Sequence, residues 1–297
     1  MFTWQTNELT PEQTNAVLYP ESVFLVACPG SGKTRTLTYK IAYELSKIQC
    51  PRKFVIAITY TNRAADEIKE RVESLGIATD QLWIGTIHSF CLEWIVKPYH
   101  IYEEGIASGF RIIDSHEKEK LLESLCKDYK NIKITHYDCD YYVSDAGYHL
   151  SCPDSSKHQI IQEVLQKYFN QLKINRQIDF ELLLWYARSL CKNKPEINRT
   201  LSLLFSIVLV DEYQDTKQIQ YGILSEIFKV GRGKTKLFMV GDPNQAIFGS
   251  LGGYPISLTD LEKLTNLPIK HFALTENFRS SEKIIKYFNN FNLHNTN

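Results

Sequence analysis

The sequence has no excess of either charge and no long apolar run. Its 297 residues include 34 Lys and Arg and 34 Asp and Glu, which gives a formal net charge of +0 at pH 7. A protein that attracts nucleic acid through an overall basic field is therefore excluded, and any such binding must come from a local surface. No apolar segment reaches about eighteen residues, and residues Met1 to Thr10 lack a basic stretch followed by an apolar run. We therefore expect a cytoplasmic protein that does not bind membranes.

Paired cysteines are also missing. The seven cysteines include no CxxC pair and no zinc-ligand spacing, so neither a disulfide framework nor a metal knuckle is indicated. The chain is long enough for one large domain or two smaller ones with a sizeable core. Its hydrophobic content of 43% and charged content of 23% are typical of a globular protein.

A short loop with two glycines is the strongest local signal. It follows the apolar run Val23–Val26 and precedes a segment with helical spacing of apolar residues from Leu37 to Ile48. A strand, a glycine loop and a helix in this order form the setting of a Walker A motif. The predicted nucleotide-binding residues are Ala27, Cys28, Pro29, Gly30, Ser31, Gly32, Lys33 and Thr34.

The chemistry expected of this loop is phosphate binding. Gly30 and Gly32 allow backbone conformations and close approaches that a Cβ atom would prevent. The backbone N–H groups and the helix N-terminus would cradle the phosphates of ATP. Lys33 would reach the β- and γ-phosphates, and the Thr34 hydroxyl would bind Mg²⁺. The first position is Ala27 instead of glycine, and a glycine turn before an ordinary helix is the alternative.

Apolar runs alternate with helical patterns along most of the chain, which predicts an α/β fold with a mostly parallel sheet. A first helix is predicted within the segment Leu9–Val17, with Thr10 as its N-cap, Pro11 as its first residue, and Thr10 and Gln13 in the pattern of a capping box. The further predicted strands are Phe54–Thr59, Leu82–Ile87, Ile207–Val210, Lys236–Val240 and Phe272–Leu274. The further predicted helices are Arg63–Ser74, capped by Asn62, then Phe180–Lys192, Gln218–Phe228 and Ser280–Phe291.

The middle of the chain breaks this alternation. Amphipathic stretches at Glu117–Asp128 and His158–Leu172 flank a tyrosine-rich segment, Tyr137–Tyr148. We interpret residues 94–177 as an inserted, mainly helical subdomain, and residues 1–93 and 178–297 as the core domain. The tyrosine-rich segment and Ser151–Lys157 contain few aliphatic residues, a composition that allows them to be mobile.

Two carboxylates directly follow a buried run. Asp211 and Glu212 come after Ile207–Val210, and the carboxyl ends of parallel strands are where open α/β sheets bind ligands. Phosphoryl transfer needs a metal near the phosphates and a group that orients the attacking water. Asp211 is therefore the second predicted Mg²⁺ ligand, and Glu212 is predicted to polarise the water. An acidic turn at a strand end is the alternative.

These segments resemble the motifs of UvrD-like DNA helicases, in that family's order. The resemblance runs from Leu9 to about Ser281 and depends most on Val210–Thr216 (VDEYQDT), Val240–Phe248 (VGDPNQAIF) and Leu274–Ser280 (LTENFRS). The other matching segments are Leu9–Val17, Ala27–Thr34, Thr59–Arg71, Gly85–Phe90 and Asp179–Ala187. The resemblance implies a RecA-like P-loop NTPase core that serves as the first motor domain of an ATP-dependent DNA helicase.

The resemblance also implies roles for single residues. Gln13 would hydrogen-bond adenine, while Arg35 and Phe278 would lie on either side of the adenine ring. Gln245 would sense the γ-phosphate, and Arg279 would stabilise its developing charge. Together with the lysine of the loop and the second carboxylate, Gln245 and Arg279 form the predicted catalytic set. For Gln13, helix capping is the alternative.

In this family, single-stranded DNA or a junction between duplex and single strand crosses the segments that correspond to residues 59–71 and 85–90. The resemblance thus implies DNA contacts by Tyr60, Asn62, Arg63, Thr86 and His88, which combine an aromatic ring with polar and cationic groups. Packing at a strand end is the alternative for Tyr60 and His88.

The sequence departs from the family in two places. The aromatic residue and the arginine that usually follow Phe248 are replaced by residues 249–253, with Ser250 at the aromatic position. The second motor domain of the family, which carries its motifs V and VI, is absent from this sequence. Either the chain is part of a longer helicase or another protein supplies the second domain. The alternative function is a nucleotide-gated DNA-binding or regulatory subunit docked on a nuclease. Family members serve in repair, recombination, plasmid replication and anti-phage defence, and the sequence does not choose among these pathways.

Overall fold

A parallel sheet lies at the centre of the protein, in a computed structural model that describes residues 2–246 and 252–289. The strands in chain order are β1 Ser22–Ala27, β2 Phe54–Thr59, β3 Leu82–Thr86, β4 Arg111–Ile112, β5 Tyr141–Ser144, β6 Gly147–Leu150, β7 Gln177–Ile178, β8 Phe205–Asp211, β9 Lys236–Gly241 and β10 Ile269–Leu274. Six of them form this sheet in the order β10-β1-β9-β8-β2-β3, and every pairing in it is parallel. The predicted α/β fold with a parallel sheet is confirmed.

Helices connect the strands, as parallel pairing requires. In chain order they are α1 Pro11–Leu18, α2 Lys33–Leu45, α3 Asn62–Ser74, α4 Ile87–Phe90, α5 Lys97–Tyr99, α6 Ser115–Cys126, α7 His158–Ile174, α8 Phe180–Asn193, α9 Pro195–Leu204, α10 Gln218–Gly231, α11 Leu258–Thr265 and α12 Glu282–Asn289. A π-helical turn, Cys91–Val96, joins α4 to α5. Among the residues that the structure describes, no helix is long and apolar enough to cross a membrane.

Both faces of the sheet are buried, which explains why its strands read as nearly continuous apolar runs. Side chains alternate between the two faces along each strand. One face packs against α2 and α3 and includes Leu25, Ala57 and Leu209. The other packs against α8, α9 and α10 and includes Phe24, Ile56 and Val208. The carboxyl ends of β1 and β8 lie at the same edge of the sheet, and β9 lies between the two strands.

Two helix starts differ in how well the sequence predicts them. At α1, the Thr10 hydroxyl accepts a hydrogen bond from Gln13 N at 3.2 Å, and Thr10 N donates to Gln13 Oε1 at 3.0 Å. This capping box agrees with the prediction. At α3, the cap is Thr61, whose hydroxyl accepts from Ala64 N at 3.1 Å. Asn62 is the first residue of the helix, so its predicted capping role is wrong.

The chain between β3 and β8 is mostly helical, but its tyrosine-rich part is not an irregular segment. Residues Tyr141–Ser144 and Gly147–Leu150 pair as an antiparallel hairpin. Tyr141 is buried, and its hydroxyl donates a hydrogen bond of 2.8 Å to Asp179 Oδ2. Aromatic rings and a buried carboxylate thus replace the aliphatic contacts that the sequence lacks here. The division of the chain at residues 94 and 177 stays a prediction.

Candidate nucleotide-binding site

The glycine loop lies between β1 and α2, as predicted, and both glycines adopt left-handed backbone conformations. The φ angles are +76° at Gly30 and +85° at Gly32. A Cβ atom on Gly30 would lie 2.6 Å from the Arg279 Cβ, and one on Gly32 would lie 2.6 Å from the Gln13 Nε2. The loop therefore needs glycine at both positions for two reasons, backbone conformation and lack of space.

Gln13 contacts the loop directly. Its Nε2 donates a hydrogen bond of 2.9 Å to the Ser31 carbonyl oxygen, and the side chain is buried. The same side chain closes the capping box of α1 through its Oε1. The capping role and a place at the loop are thus compatible, because they use different atoms of the amide.

The segment after β10 lies against the loop. Cys28 N donates to the Leu274 carbonyl at 3.2 Å, Asn277 Nδ2 donates to the Pro29 carbonyl at 2.6 Å, and Phe278 N donates to the Gly30 carbonyl at 2.9 Å. These bonds bring the last predicted motif, more than 240 residues away in sequence, to the loop. We call residues 275–281 the cover segment.

The predicted adenine and γ-phosphate residues on this side have exposed side chains. Phe278 belongs to the cover segment beside the loop, and its side chain is 63% exposed. Arg279 is also exposed, with its Cβ against Gly30. Arg35, in the first turn of α2, is exposed with its guanidinium 5.9 Å from the centre of the Tyr39 ring. Ring and guanidinium faces on both sides of the loop are thus open to a ligand.

The two carboxylates lie at the end of β8, opposite the loop lysine. Lys33 Nζ is 3.6 Å from Glu212 Oε2. Glu212 has a left-handed backbone with φ 51° and ψ 52°, a conformation that is uncommon for a residue with a Cβ and that turns the chain sharply after the strand. Its N–H donates to Asp211 Oδ1 at 3.1 Å. Thr34 is in the first turn of α2, next to the lysine.

The acidic groups here fit a divalent cation. Burial, and then the charge of Glu212, raise the pKa of Asp211 to about 7. The same two causes raise the pKa of Asp215 to about 6, and its Oδ1 is buried without a hydrogen-bond partner. The charge of Lys33 offsets both pKa shifts only in part, so a bound cation would relieve the remaining repulsion.

A chain of hydrogen bonds connects Glu212 to the end of β9. Gln214 Nε2 donates to Glu212 Oε2 at 2.8 Å, and Asp242 N donates to Gln214 Oε1 at 3.0 Å. Gln245 Nε2 then donates to Asp242 Oδ2 at 2.8 Å. We call Lys33, Glu212, Gln214, Asp242 and Gln245 the polar chain. It joins residues from three of the predicted motif segments, and Lys33, Glu212 and Gln245 are its predicted site residues.

Gly241 makes room for this link. A Cβ atom at Gly241 would lie 2.3 Å from Gln214 Oε1 and 2.6 Å from Tyr213 Cδ1. The backbone φ of Gly241 is not positive. Glycine is therefore required at this position only because a larger residue would not fit. The close approach of β9 to the turn after β8 explains the glycine of the GDPNQ segment.

The predicted DNA-binding residues differ in how accessible they are. Tyr60 is 51% exposed, and Asn62 and Arg63 are exposed at the start of α3. Thr86 caps α4 by accepting from Ser89 N at 3.3 Å. His88 packs edge-on against Phe180 with ring centres 5.4 Å apart.

The pKa of His88 also suits a residue that packs inside the protein. Burial, and secondarily the charge of Lys217, lower its pKa to about 4. It is therefore neutral at physiological pH and provides no cation for a phosphate. This places the cationic character of the predicted DNA surface on Arg63.

A cavity of about 340 Å³ is lined by both groups of predicted residues. The lining includes Tyr60, Thr86 and His88 as well as Asp211 and Glu212. Further lining residues come from the hairpin and from α6, α8 and α10. The two predicted carboxylates and three of the predicted DNA-binding residues thus face the same cavity.

A comparison with protein families identifies the family of this chain. The family model of the UvrD/REP helicase N-terminal domain matches residues 9–265, which is most of the chain. This chain belongs to the UvrD/REP helicase family. The RecA-like core expected from the resemblance is consistent with the parallel sheet and with the loop between β1 and α2.

Several relatives of this UvrD/REP domain are known. It is 31% identical to the ATP-dependent DNA helicase PcrA of Bacillus subtilis, over 97% of this chain and 40% of the relative. It is 32% identical to PcrA of Staphylococcus aureus over 95% of this chain, and 31% identical to PcrA of Staphylococcus epidermidis over 97%. In each case the chain spans 40% of the relative's length.

Sequence reasoning missed some of the residues at this UvrD/REP site. Gln214, Asp215 and Asp242 lie inside the matching motif segments but receive no predicted role, and their place in those motifs is the signal that could have identified them. Asn277, which anchors the cover segment, is also inside a quoted motif. The predictions for Phe248 and Ser250 lie outside the described residues.

Proposed function

We propose that this domain binds ATP with Mg²⁺ and hydrolyses it, and that hydrolysis drives movement along single-stranded DNA. The observation that carries the proposal is the polar chain, which links the loop lysine to the ends of β8 and β9. The PcrA relatives are named ATP-dependent DNA helicases, and this name supports a motor.

In the structure, Lys33 is paired with Glu212. The phosphates of ATP would enter the loop, bind its N–H groups and attract Lys33 away from the carboxylate. Glu212 would then accept the proton of an attacking water, while Gln214 keeps its hydrogen bond to Oε2, the same oxygen that Lys33 faces. The polar chain would carry the change of partner at Glu212 to Asp242 and Gln245.

Mg²⁺ would be held by Thr34 and Asp211, and when bound it neutralises charge on the phosphate oxygens. Asp211 is suited to this because a nearby cation favours its charged form. Arg279 would approach the γ-phosphate from the cover segment, where its side chain is exposed. These assignments use side chains that already surround the loop.

The adenine ring would lie between Phe278 and Arg35. Gln13 has its Oε1 bonded to Thr10 N and one Nε2 hydrogen bonded to the Ser31 carbonyl. It keeps a second N–H and a second lone pair for adenine. Recognition of the base would therefore add to the present bonds of Gln13 instead of replacing them.

Single-stranded DNA would cross the exposed start of α3. Tyr60 offers a ring for stacking, and Arg63 and Asn62 offer phosphate contacts. Thr86 and His88 would position this surface, since both are engaged with neighbouring protein groups.

No observation on residues 2–246 or 252–289 favours the nuclease-docked regulatory subunit, and nothing in the names of the relatives supports anti-phage defence.

Glu212→Gln tests the proposal. Because Glu212 is assigned to the water and not to nucleotide binding, the variant should bind Mg-ATP but hydrolyse it about 100-fold more slowly or worse. Binding is measured by calorimetry and hydrolysis by single-turnover phosphate release. Glu104→Gln, at an exposed position, is the matched control. Hydrolysis by Glu212→Gln at the wild-type rate would remove Glu212 from the mechanism.

A further inference from the structure

Two glutamates and a histidine converge in the chain between β3 and β8. Glu119 and Glu123 are one turn apart on α6, and His136 begins the 3-10 turn His136–Cys139. One potential ligand atom from each residue lies within 4.8 Å of the other two. Neither the nucleotide loop nor the polar chain includes any of the three, so they need a separate explanation.

The histidine ring is held between the two carboxylates. Its Nε2 is 3.1 Å from Glu119 Oε1, and its Nδ1 is 3.5 Å from Glu123 Oε1. The His136 side chain is only 17% exposed. Its Nε2 is fully buried and has no hydrogen-bond partner in spite of the nearby carboxylate oxygen. A buried ring nitrogen without a partner is costly, and it points to a ligand that the protein itself does not provide.

We propose that Glu119, Glu123 and His136 bind a divalent first-row transition metal of the zinc type. Zinc binds imidazole nitrogen and carboxylate oxygen at about 2.0–2.2 Å. Two such ligands at a tetrahedral angle lie about 3.4 Å apart, and His136 Nε2 and Glu119 Oε1 are 3.1 Å apart. Glu123 Oε1 is 3.5 Å from the other ring nitrogen, Nδ1, so the exposed Glu123 side chain would turn toward an ion bound at Nε2. Imidazole among the donors favours zinc over magnesium or calcium, which prefer oxygen ligands alone.

The metal would join two elements that the chain connects only through residues 127–135. Glu119 and Glu123 belong to α6, and His136 leads directly into the turn before the hairpin strand β5. Water would occupy the remaining coordination positions, because the glutamate side chains are 44% and 52% exposed. Occupancy would fix the hairpin-bearing turn against α6, and since metal binding favours the folded form, it would raise the unfolding temperature.

Calorimetric titration of the nucleotide-free chain with Zn²⁺ tests this site. We expect one ion per chain, with affinity reduced by about tenfold or more in His136→Ala and in Glu123→Gln. Glu123→Gln guards against misfolding, because this side chain is largely exposed. His116→Ala is the matched control, since His116 is on the same helix, is exposed and is not part of the cluster. No binding by the wild-type chain, or equal binding by His136→Ala, would overturn the proposal.

Buried thiols are the main competing ligands, and they can be separated. Cys126 and Cys139 have sulfur atoms 3.7 Å apart, and burial raises the pKa of both thiols, so metal binding there would have to release a proton from each thiol. With Co²⁺ as probe, the proposed site gives no thiolate charge-transfer absorption. Such absorption, or loss of Zn²⁺ binding in Cys139→Ala or Asp211→Asn with binding kept in His136→Ala, would assign the ion elsewhere and refute the cluster.

Discussion

Replacing Gly32 by alanine tests the close approach of the loop and α1. The left-handed backbone at φ +85° costs a residue with a Cβ about 1–2 kcal/mol. The new methyl group would lie 2.6 Å from Gln13 Nε2, so Gln13 must move and lose its bond to Ser31, at a further cost of about 0.5–1.5 kcal/mol. We expect a total loss of about 1.5–3.5 kcal/mol in the free energy of unfolding.

Gly76→Ala separates the two costs. Gly76 has a similar φ of +74°, but nothing lies within 4 Å of the position that its Cβ would take. This control should lose only the backbone contribution of about 1–2 kcal/mol. Gly32→Ala should also weaken Mg-ATP binding, whereas Gly76→Ala should leave it unchanged, because Gly76 follows α3 and is outside the loop.

Denaturant unfolding, followed by circular dichroism, measures both variants. The same pair is then compared in a Gln13→Ala background, where the methyl group at position 32 has no amide to displace. There the extra cost of Gly32→Ala should fall to that of Gly76→Ala. Equal losses for the two variants in the wild-type background, or an extra cost that persists without Gln13, would refute the steric part of the reasoning.

Three further predictions concern the site. Lys33→Ala should sharply weaken Mg-ATP binding in calorimetry while Lys69→Ala does not; equal affinities would remove Lys33 from phosphate binding. Arg63→Ala should lower the salt dependence of single-stranded DNA binding by about 0.7 in log–log slope, measured by fluorescence anisotropy, and an unchanged slope would move the DNA path. His88 has a pKa lowered to about 4, below its unfolded value of about 6.5, so the unfolded state binds more protons between these pH values. Stability should fall as pH falls from 6.5 to 4, by about 2–3 kcal/mol, and His88→Gln should remove this loss; the same loss in the variant would assign it to other groups.

The sequence alone determined the local elements and the chemistry of the loop. Two glycines before Lys33, after an apolar run, indicate a strand, a phosphate loop and a helix because each depends on neighbours in sequence. The capping box of Thr10 and Gln13 was predictable for the same reason. Most predicted strands and helices agree with the structure to within a few residues, and the largest shift among the strands is the earlier start of β10 at Ile269.

The tertiary structure decided which of these elements meet. The contacts of the cover segment join residues about 250 apart, and no local pattern encodes such a pairing. The bond from Gln214 to the end of β9 depends on the strand order, which places β9 between β1 and β8. The hairpin is anchored where the hydroxyl of Tyr141 donates a hydrogen bond to the buried carboxylate of Asp179. Amino-acid composition does not reveal this partner.

The cluster of Glu119, Glu123 and His136 shows the same limit most clearly. Glu119 and Glu123 have helical spacing that the sequence displays, but their third partner, His136, is reached only after the chain turns back on α6. Helical spacing is a property of consecutive backbone hydrogen bonds, so it can be read from sequence. Convergence of side chains from different elements depends on packing over the whole domain, and it becomes visible only when the fold is known.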